Sequence, residues 1–149
     1  MDKIDKKLIS LLLENARHPL KYLAEAVYLS SPAVSARLER LEKNGVLTGY
    51  SARIDPLKLG YHIKAYIHLE LPPEQKPVFI PYIRSCKNVL ECDCVTGSYS
   101  MLIKVCFPST AALDQFIGEL QQFGRTQTQI VFSTAVPARE VSLDALEEE

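Results

Sequence analysis

Apolar positions recur with a helical period from Ile4 to Leu41, and then alternate with a strand period from Ile63 onward. Ile4, Leu8, Leu11 and Leu12 mark one face of a first helix, with Asp2 placed to cap it and His18-Pro19 to end it. Between Leu20 and Leu29, the residues Leu20, Leu23, Ala24 and Val27 fall at i, i+3, i+4 and i+7, predicting a second helix. Ser30 then stands as an N-cap, with Pro32 just inside a third helix whose inward stripe is Val34, Leu38 and Leu41. Asn44-Gly45 closes that helix, since either residue tolerates left-handed backbone. A short extended stretch runs from Leu47 to Ile54, and Asp55-Pro56 breaks it.

The second half reads differently. Ile63, Ala65, Ile67, Leu69 and Leu71 alternate with His62, Lys64, Tyr66, His68 and Glu70, a half-buried strand that Pro72-Pro73 stops. A helix is predicted from Lys76 to Cys86, with Phe79, Tyr82, Ile83 and Cys86 on one face and a kink or late start at Pro81. Strands follow at Val89–Thr96 and Met101–Phe107, joined by Gly97-Ser98-Tyr99-Ser100. Ser109 caps a helix carrying Leu113, Phe116, Ile117 and Leu120, and the last strand is Thr126–Thr134. The order βαββαβ is the ferredoxin-like arrangement.

The predicted fold class is therefore α+β: an N-terminal three-helix winged helix-turn-helix domain followed by a ferredoxin-like βαββαβ domain. The first domain spans 1–56, a linker 57–61, the second domain 62–138, and a frayed acidic tail 139–149 ends in Glu147-Glu148-Glu149. The sheet face away from its helices carries Tyr66 and His68, too apolar to stay wet, so self-association through it is expected.

The third helix carries the chemistry. Its leading turns are slim and hold no carboxylate before Glu39, as entry into a DNA major groove requires. The candidate DNA contacts are Ser30, Ser31, Pro32, Ala33, Ser35, Ala36, Arg37, Arg40 and Lys43, with Arg37 and Arg40 reaching bases or phosphates. The helix N-terminus can also hold a phosphate. In the competing reading this is a solvated face, with Arg40 and Lys43 paired to Glu39 and Glu42. Charge favours the first. The formal net charge is −1, yet residues 1–60 hold 10 Lys+Arg against 7 Asp+Glu, and residues 61–149 hold 7 against 11.

Hydrophobic content of 47% with 23% charged residues indicates globular folding. No apolar run approaches the roughly 20 residues that span a bilayer, and no signal peptide precedes the first helix, so a cytoplasmic, nucleoid-associated protein is expected. Cys86, Cys92, Cys94 and Cys106 lack the paired spacing of metal knuckles and are expected to be reduced, mostly core thiols, with no metal and no cofactor. G-x-S-x-G, phosphate-loop and H-E-x-x-H patterns do not occur, and an enzyme is not expected.

Several motifs resemble one family along most of the chain. Ile4-Asp5-Lys6-Lys7-Leu8-Ile9 is similar to the opening I-D-x-x-I-L of the leucine-responsive regulator/AsnC (feast/famine) family. Leu29-Ser30, followed by Val34, Arg37, Leu38 and Leu41-Glu42-Lys43-Asn44-Gly45-Val46-Leu47-Thr48-Gly49-Tyr50, resembles its helix-turn-helix stretch. Val95-Thr96-Gly97 with Leu102-Ile103-Lys104, and Thr126-Gln127-Thr128, resemble motifs of its second domain. The resemblance implies a transcriptional regulator that binds double-stranded promoter DNA as a homo-oligomer, dimer to octamer, and responds to a free amino acid. Thr96, Gly97, Ser98, Tyr99, Ser100, Thr126 and Thr128 would then line the effector site. Ser100 stands where the family usually has Asp, so a neutral hydroxyl replaces a carboxylate there, with a hydrogen bond roughly half as strong. Two alternatives share this layout: a sirohaem decarboxylase-like enzyme of haem biosynthesis, using His62 and His68, and a nucleoid-architectural protein that wraps DNA.

Overall fold

Asp2 starts the first helix, α1 (Lys3–Glu14), in the computed structural model, which describes residues 1–143. Its carboxylate accepts the Asp5 N–H at 2.8 Å while the Asp5 carboxylate accepts the Asp2 N–H at 3.1 Å, a reciprocal capping box. The helix stops at Asn15, ahead of the expected His18-Pro19. Asn15 leaves helical backbone, and its side chain accepts the Arg17 N–H at 2.9 Å, closing a local turn. Helices α2 (Leu20–Ala26) and α3 (Ser31–Lys43) follow. Leu8, Leu11, Leu12, Leu23, Ala24, Val27 and Val34 form the small core of this unit, with Leu38 packed against it. Leu20, expected on that face, remains exposed at the first position of α2.

The two helices of the motif end in the same way. After α3, Val46 N–H bonds Leu41 C=O and Gly45 N–H bonds Glu42 C=O, both at 2.9 Å, with Gly45 at φ +70°. After α2, Leu29 N–H bonds Ala24 C=O at 3.0 Å and Tyr28 N–H bonds Glu25 C=O at 3.3 Å. Here the left-handed position is filled by Tyr28, at φ +56°. The stretch expected to be extended, Leu47–Ile54, joins no ladder among the described residues.

The second compact unit covers residues 54–136. The 57–61 stretch read as a linker falls inside it, as a 3-10 turn (Leu57–Leu59) closed by Gly60. Strands β1 (Ile63–Glu70), β2 (Val89–Cys94), β3 (Met101–Phe107) and β4 (Arg125–Ile130) form one antiparallel sheet in the order β2-β3-β1-β4. Helices α4 (Lys76–Ser85) and α5 (Thr110–Leu120) supply the crossovers, which is the ferredoxin-like βαββαβ topology. In the register, Ile67 pairs with Ile103 on one side and Thr128 on the other. Ala65, Ile67, Leu69, Ile103 and Val105 pack with Phe79, Ile83, Leu113, Phe116 and Leu120 of the helices. The helix α4 runs through Pro81, its sixth residue, which has no N–H to give the Pro77 carbonyl, so one intrahelical hydrogen bond is missing there.

Both terminal strands are shorter than the alternation predicts. The strand β2 ends at Cys94 because Val95–Ser100 closes a loop, with Val95 N–H on Ser100 C=O at 2.8 Å and Gly97 at φ +102°. The strand β4 ends at Ile130; Val131 N–H still reaches Lys64 C=O at 2.8 Å, and Phe132 is then fully exposed. Gly124 passes so close to β1 that a Cβ there would lie 1.9 Å from the Glu70 carbonyl oxygen. Residues 137–143 group with the helical unit of residues 1–53, and Glu140, Val141 and Leu143 line a cleft there with Leu12, Leu13 and Tyr50. The acidic run Glu147–Glu149, expected to fray, lies outside the described residues.

Candidate nucleic-acid interface and effector turn

The α3 helix is held from beneath and open above. Val34 and Leu41 anchor it in the helical core, while Pro32, Ala36, Arg40 and Lys43 are exposed and Ser31, Ala33 and Ser35 half-buried. Ser30 caps it, its hydroxyl accepting the Ala33 N–H at 3.4 Å. Ala36 and Arg40 are therefore not sealed, and the face predicted to meet DNA is open on its own unit. Ser35 donates to Glu39 at 3.3 Å, and Glu42 accepts the Tyr50 hydroxyl at 2.8 Å. Burial, and then Glu42 beside it, push the Tyr50 phenol up to about 12.

Arg37 and Arg40 are not where the sequence reading left them. Neither pairs with Glu39 or Glu42; both reach back to α1. Arg37 Nη1 donates to Asp2 at 2.6 Å and to Asp5 at 2.8 Å; Arg40 Nη2 donates to both Asp5 oxygens, at 3.0 and 2.8 Å. Asp5 is only 2% exposed, and with the Asp2 N–H its carboxylate accepts four hydrogen bonds, which is its full capacity. A buried carboxylate left unpaired would be expelled or protonated, so the arginines turn inward to it. Burial pushes the Asp5 carboxyl up, but the Asp2 N–H, the Arg37 hydrogen bond and the Arg40 charge outweigh it and hold the group below its ordinary range. The Asp5 N–H and the Arg37 guanidinium do the same for Asp2. Arg37 is accordingly a clamp between α1 and α3. Arg40, with its side chain 54% exposed and one nitrogen on Asp5, keeps the rest of its donor fork on the outer face. The missed partners had a signal: Asp2 and Asp5 are spaced i, i+3 on one helix, as Arg37 and Arg40 are on another.

The residues expected around an effector do not share one face. Tyr99 lies across the sheet end, 6.0 Å from the His68 ring and with the Arg125 guanidinium 5.7 Å from its own ring centre. Arg125 in turn pairs with Glu70 at 3.2 Å. Thr126 and Thr128 pair with Leu69 and Ile67, so they point to the helix-covered side; Gln127 and Gln129, opposite His68 and Tyr66, take the open side. His68 and Arg125 are thus neighbours of the turn that the sequence reading missed. Ser100 Oγ lies 3.4 Å from the Leu71 backbone nitrogen and 3.3 Å from its carbonyl oxygen, fastening the turn to the end of β1. A cleft of about 620 Å³ opens at the other end of the sheet, lined by Tyr61, Cys86, Asn88, Phe107, Gln115 and Glu119, and none of the expected effector residues reaches it.

His62 precedes β1 and is exposed, leaving His68 alone on the open sheet face. The four cysteines are free thiols, but Cys94 is exposed and not part of the core. It shares the helix-covered side of the sheet with Cys92, whose thiol burial pushes up to about 11. Among the described residues no group of His, Cys, Asp and Glu side chains could hold a metal ion, and no helix is long and apolar enough to cross a membrane.

Comparison with known proteins agrees with both units. A family profile described as winged helix-turn-helix DNA-binding matches residues 1–48, and one described as the Lrp/AsnC ligand binding domain matches residues 64–141. The transcriptional regulator LrpA of Bacillus subtilis is 32% identical over 88% of this chain and 97% of its own. A Neisseria meningitidis transcriptional regulator solved in complex with L-methionine superposes with a TM-score of 0.90 at 26% identity, covering 98% of this chain and 99% of the other. A feast or famine regulatory protein of Mycobacterium tuberculosis, also complexed with L-methionine, does so with a TM-score of 0.85 at 31% identity, covering 95% and 98%.

Proposed function

Because the chain belongs to the Lrp/AsnC family of transcriptional regulators, we propose that it sets α3 into the major groove of promoter DNA as an oligomer with an even number of copies, tuned by a free amino acid. It is a regulator with a helix-turn-helix DNA-binding domain and not an enzyme; the decarboxylase alternative is set aside. The observation that supports the docking mode is the outer face of α3, where Ala36 is open between the small residues Ala33 and Ser35 and the exposed cations Arg40 and Lys43. Two such helices related by a twofold axis would meet successive major-groove faces about 34 Å apart. Arg40 offers its free donors to a base or phosphate, Lys43 a phosphate, and the Ser31–Ala33 turn the helix N-terminus. The site of action is the nucleoid.

The docking mode is tested by selecting fragments from a genomic library and measuring the affinity of wild type and Ala36→Glu for them. A carboxylate at that position would be pressed against phosphates and base acceptors, so affinity should fall at least tenfold with folding unchanged. Unaltered binding by Ala36→Glu would remove α3 from the interface.

The effector reading rests on the Tyr99–Ser100 turn and on the L-methionine complexes of two relatives. L-methionine is the first probe, titrated by calorimetry beside the other amino acids. The hydroxyl of Ser100 provides no counter-charge for an ammonium group, so binding weaker than Ser100→Asp is expected. Stronger binding by wild type than by Ser100→Asp would contradict that role. The open sheet face, with Tyr66, His68 and Leu102 half-buried, is where a second copy would pack. Sedimentation at micromolar concentration should find no monomer.

A further inference from the structure

The turn between α2 and α3 holds an anomaly that folding does not account for. Tyr28 is the one non-glycine residue at positive φ among those described, at +56°. In that conformation a Cβ crowds the following carbonyl oxygen, and a bulky residue there is an outlier; Gly45 fills the equivalent place after α3. Nor does the ring repay its position by packing, for it is 96% exposed. A strained backbone bearing a large aromatic side chain left almost wholly in solvent is the pattern of a side chain that serves an external ligand. Its place in the chain points to the ligand: it lies two residues before Ser30, the cap of α3, the helix proposed above to enter DNA.

We propose that Tyr28 is a DNA-contact residue of this regulator, its phenol hydroxyl donating to a backbone phosphate next to the N-terminus of α3. This rests on α3 being the groove helix. The chemistry fits the place. A phenol is a neutral donor that needs no partner charge, tyrosine is among the side chains that bond DNA phosphates, and the left-handed backbone turns the ring away from the helical core. Such a contact positions the helix and carries no sequence information, so it should strengthen specific and random DNA alike.

Three variants test it on the full chain, with one fragment selected from genomic DNA and one random duplex of the same length. Tyr28→Phe removes only the hydroxyl and should weaken both duplexes by about three- to tenfold, with an unchanged melting temperature and an unchanged salt slope, since no cation is lost. Tyr28→Gly should raise the melting temperature by about 3 °C or more, relieving the strain, while binding both duplexes at least as weakly as Tyr28→Phe. Ala36→Glu reports on α3 itself. Undiminished binding by Tyr28→Phe, loss confined to the selected fragment, or a lowered melting temperature in Tyr28→Gly would each overturn the assignment. Where Ala36→Glu binds normally as well, it is the docking of α3 that has failed; where Ala36→Glu alone is impaired, the failure belongs to Tyr28.

Discussion

The two units keep their shape by different means. The sheet unit holds a wholly apolar core: Ile67, Leu69, Ile103 and Val105 lie under Phe79, Phe116 and Leu120, and no charged side chain is buried among its described residues. The helical unit has a smaller core and places one buried carboxylate, Asp5, between α1 and α3. Apolar packing is strong and non-directional, so it suits a platform whose faces need only be close-packed. An ion cluster is directional. It contributes little net stability, but it fixes how α3 is rotated and what its arginines can reach. The unit that must present particular side chains is the unit that carries the directional device.

The largest effect that would break this contrast lies in the sheet unit. Phe79 is fully buried and meets Phe123 edge-on at 5.4 Å. Phe79→Ala should destabilise that unit by about 3–5 kcal/mol in urea denaturation. A loss under 1 kcal/mol would mean the platform does not depend on its apolar core.

Next comes Asp5. Asp5→Ala strands Arg40 and leaves Arg37 with Asp2 alone, and should cost about 2–3 kcal/mol, less than a fully broken buried pair because half-exposed Arg40 can rehydrate. The pH dependence has a definite sign. Asp2 and Asp5 both sit below their ordinary 3.8 when folded. Their contribution is therefore complete above 3.8 and is lost as pH falls below it, because the unfolded chain takes up protons first. Acid titration of the helical unit, followed by circular dichroism, should show that loss in wild type and less of it in Asp5→Asn. Freeing Arg40 should also steepen the logarithmic salt dependence of random-duplex binding by about one unit. An unchanged slope would show that the clamp has no bearing on DNA.

The smallest effect sharpens the comparison within the helical unit. Gly45→Ala places a Cβ at φ +70° and should cost about 1 kcal/mol in melting experiments, with open space around it to confine the effect to backbone strain. Tyr28→Gly, at the matching turn, should move in the opposite direction. If both substitutions shifted stability the same way, strain at Tyr28 would not be the reason it stands out.

Much of the fold was legible from periodicity, and the reason is local. The helices α1 and α3 are announced by caps at Asp2 and Ser30 and by stripes such as Val34, Leu38 and Leu41, while β1 is announced by strict alternation from Ile63 to Leu69. Less was legible where strands end, because β2 stops at Cys94 where Val95–Ser100 closes a loop and β4 stops at Ile130, and alternation records neither. The candidate site was legible as a slim helix and as a family motif, but not in its electrostatics. Which of the nine candidate DNA contacts and seven candidate effector residues act together depends on faces and partners supplied from elsewhere in the chain.

By itself, then, the sequence determined the element types, their βαββαβ order after a helix-turn-helix, and the small residues at the front of α3. Those properties follow from spacings within a few residues, where backbone hydrogen bonding and side-chain period act directly. Only the tertiary structure decided that Arg37 and Arg40 answer to Asp5, that Thr126 faces away from Tyr99, and that Tyr28 adopts the left-handed backbone of a glycine. Each of these is settled between segments distant in the chain, or by the way a turn must close to bring them together.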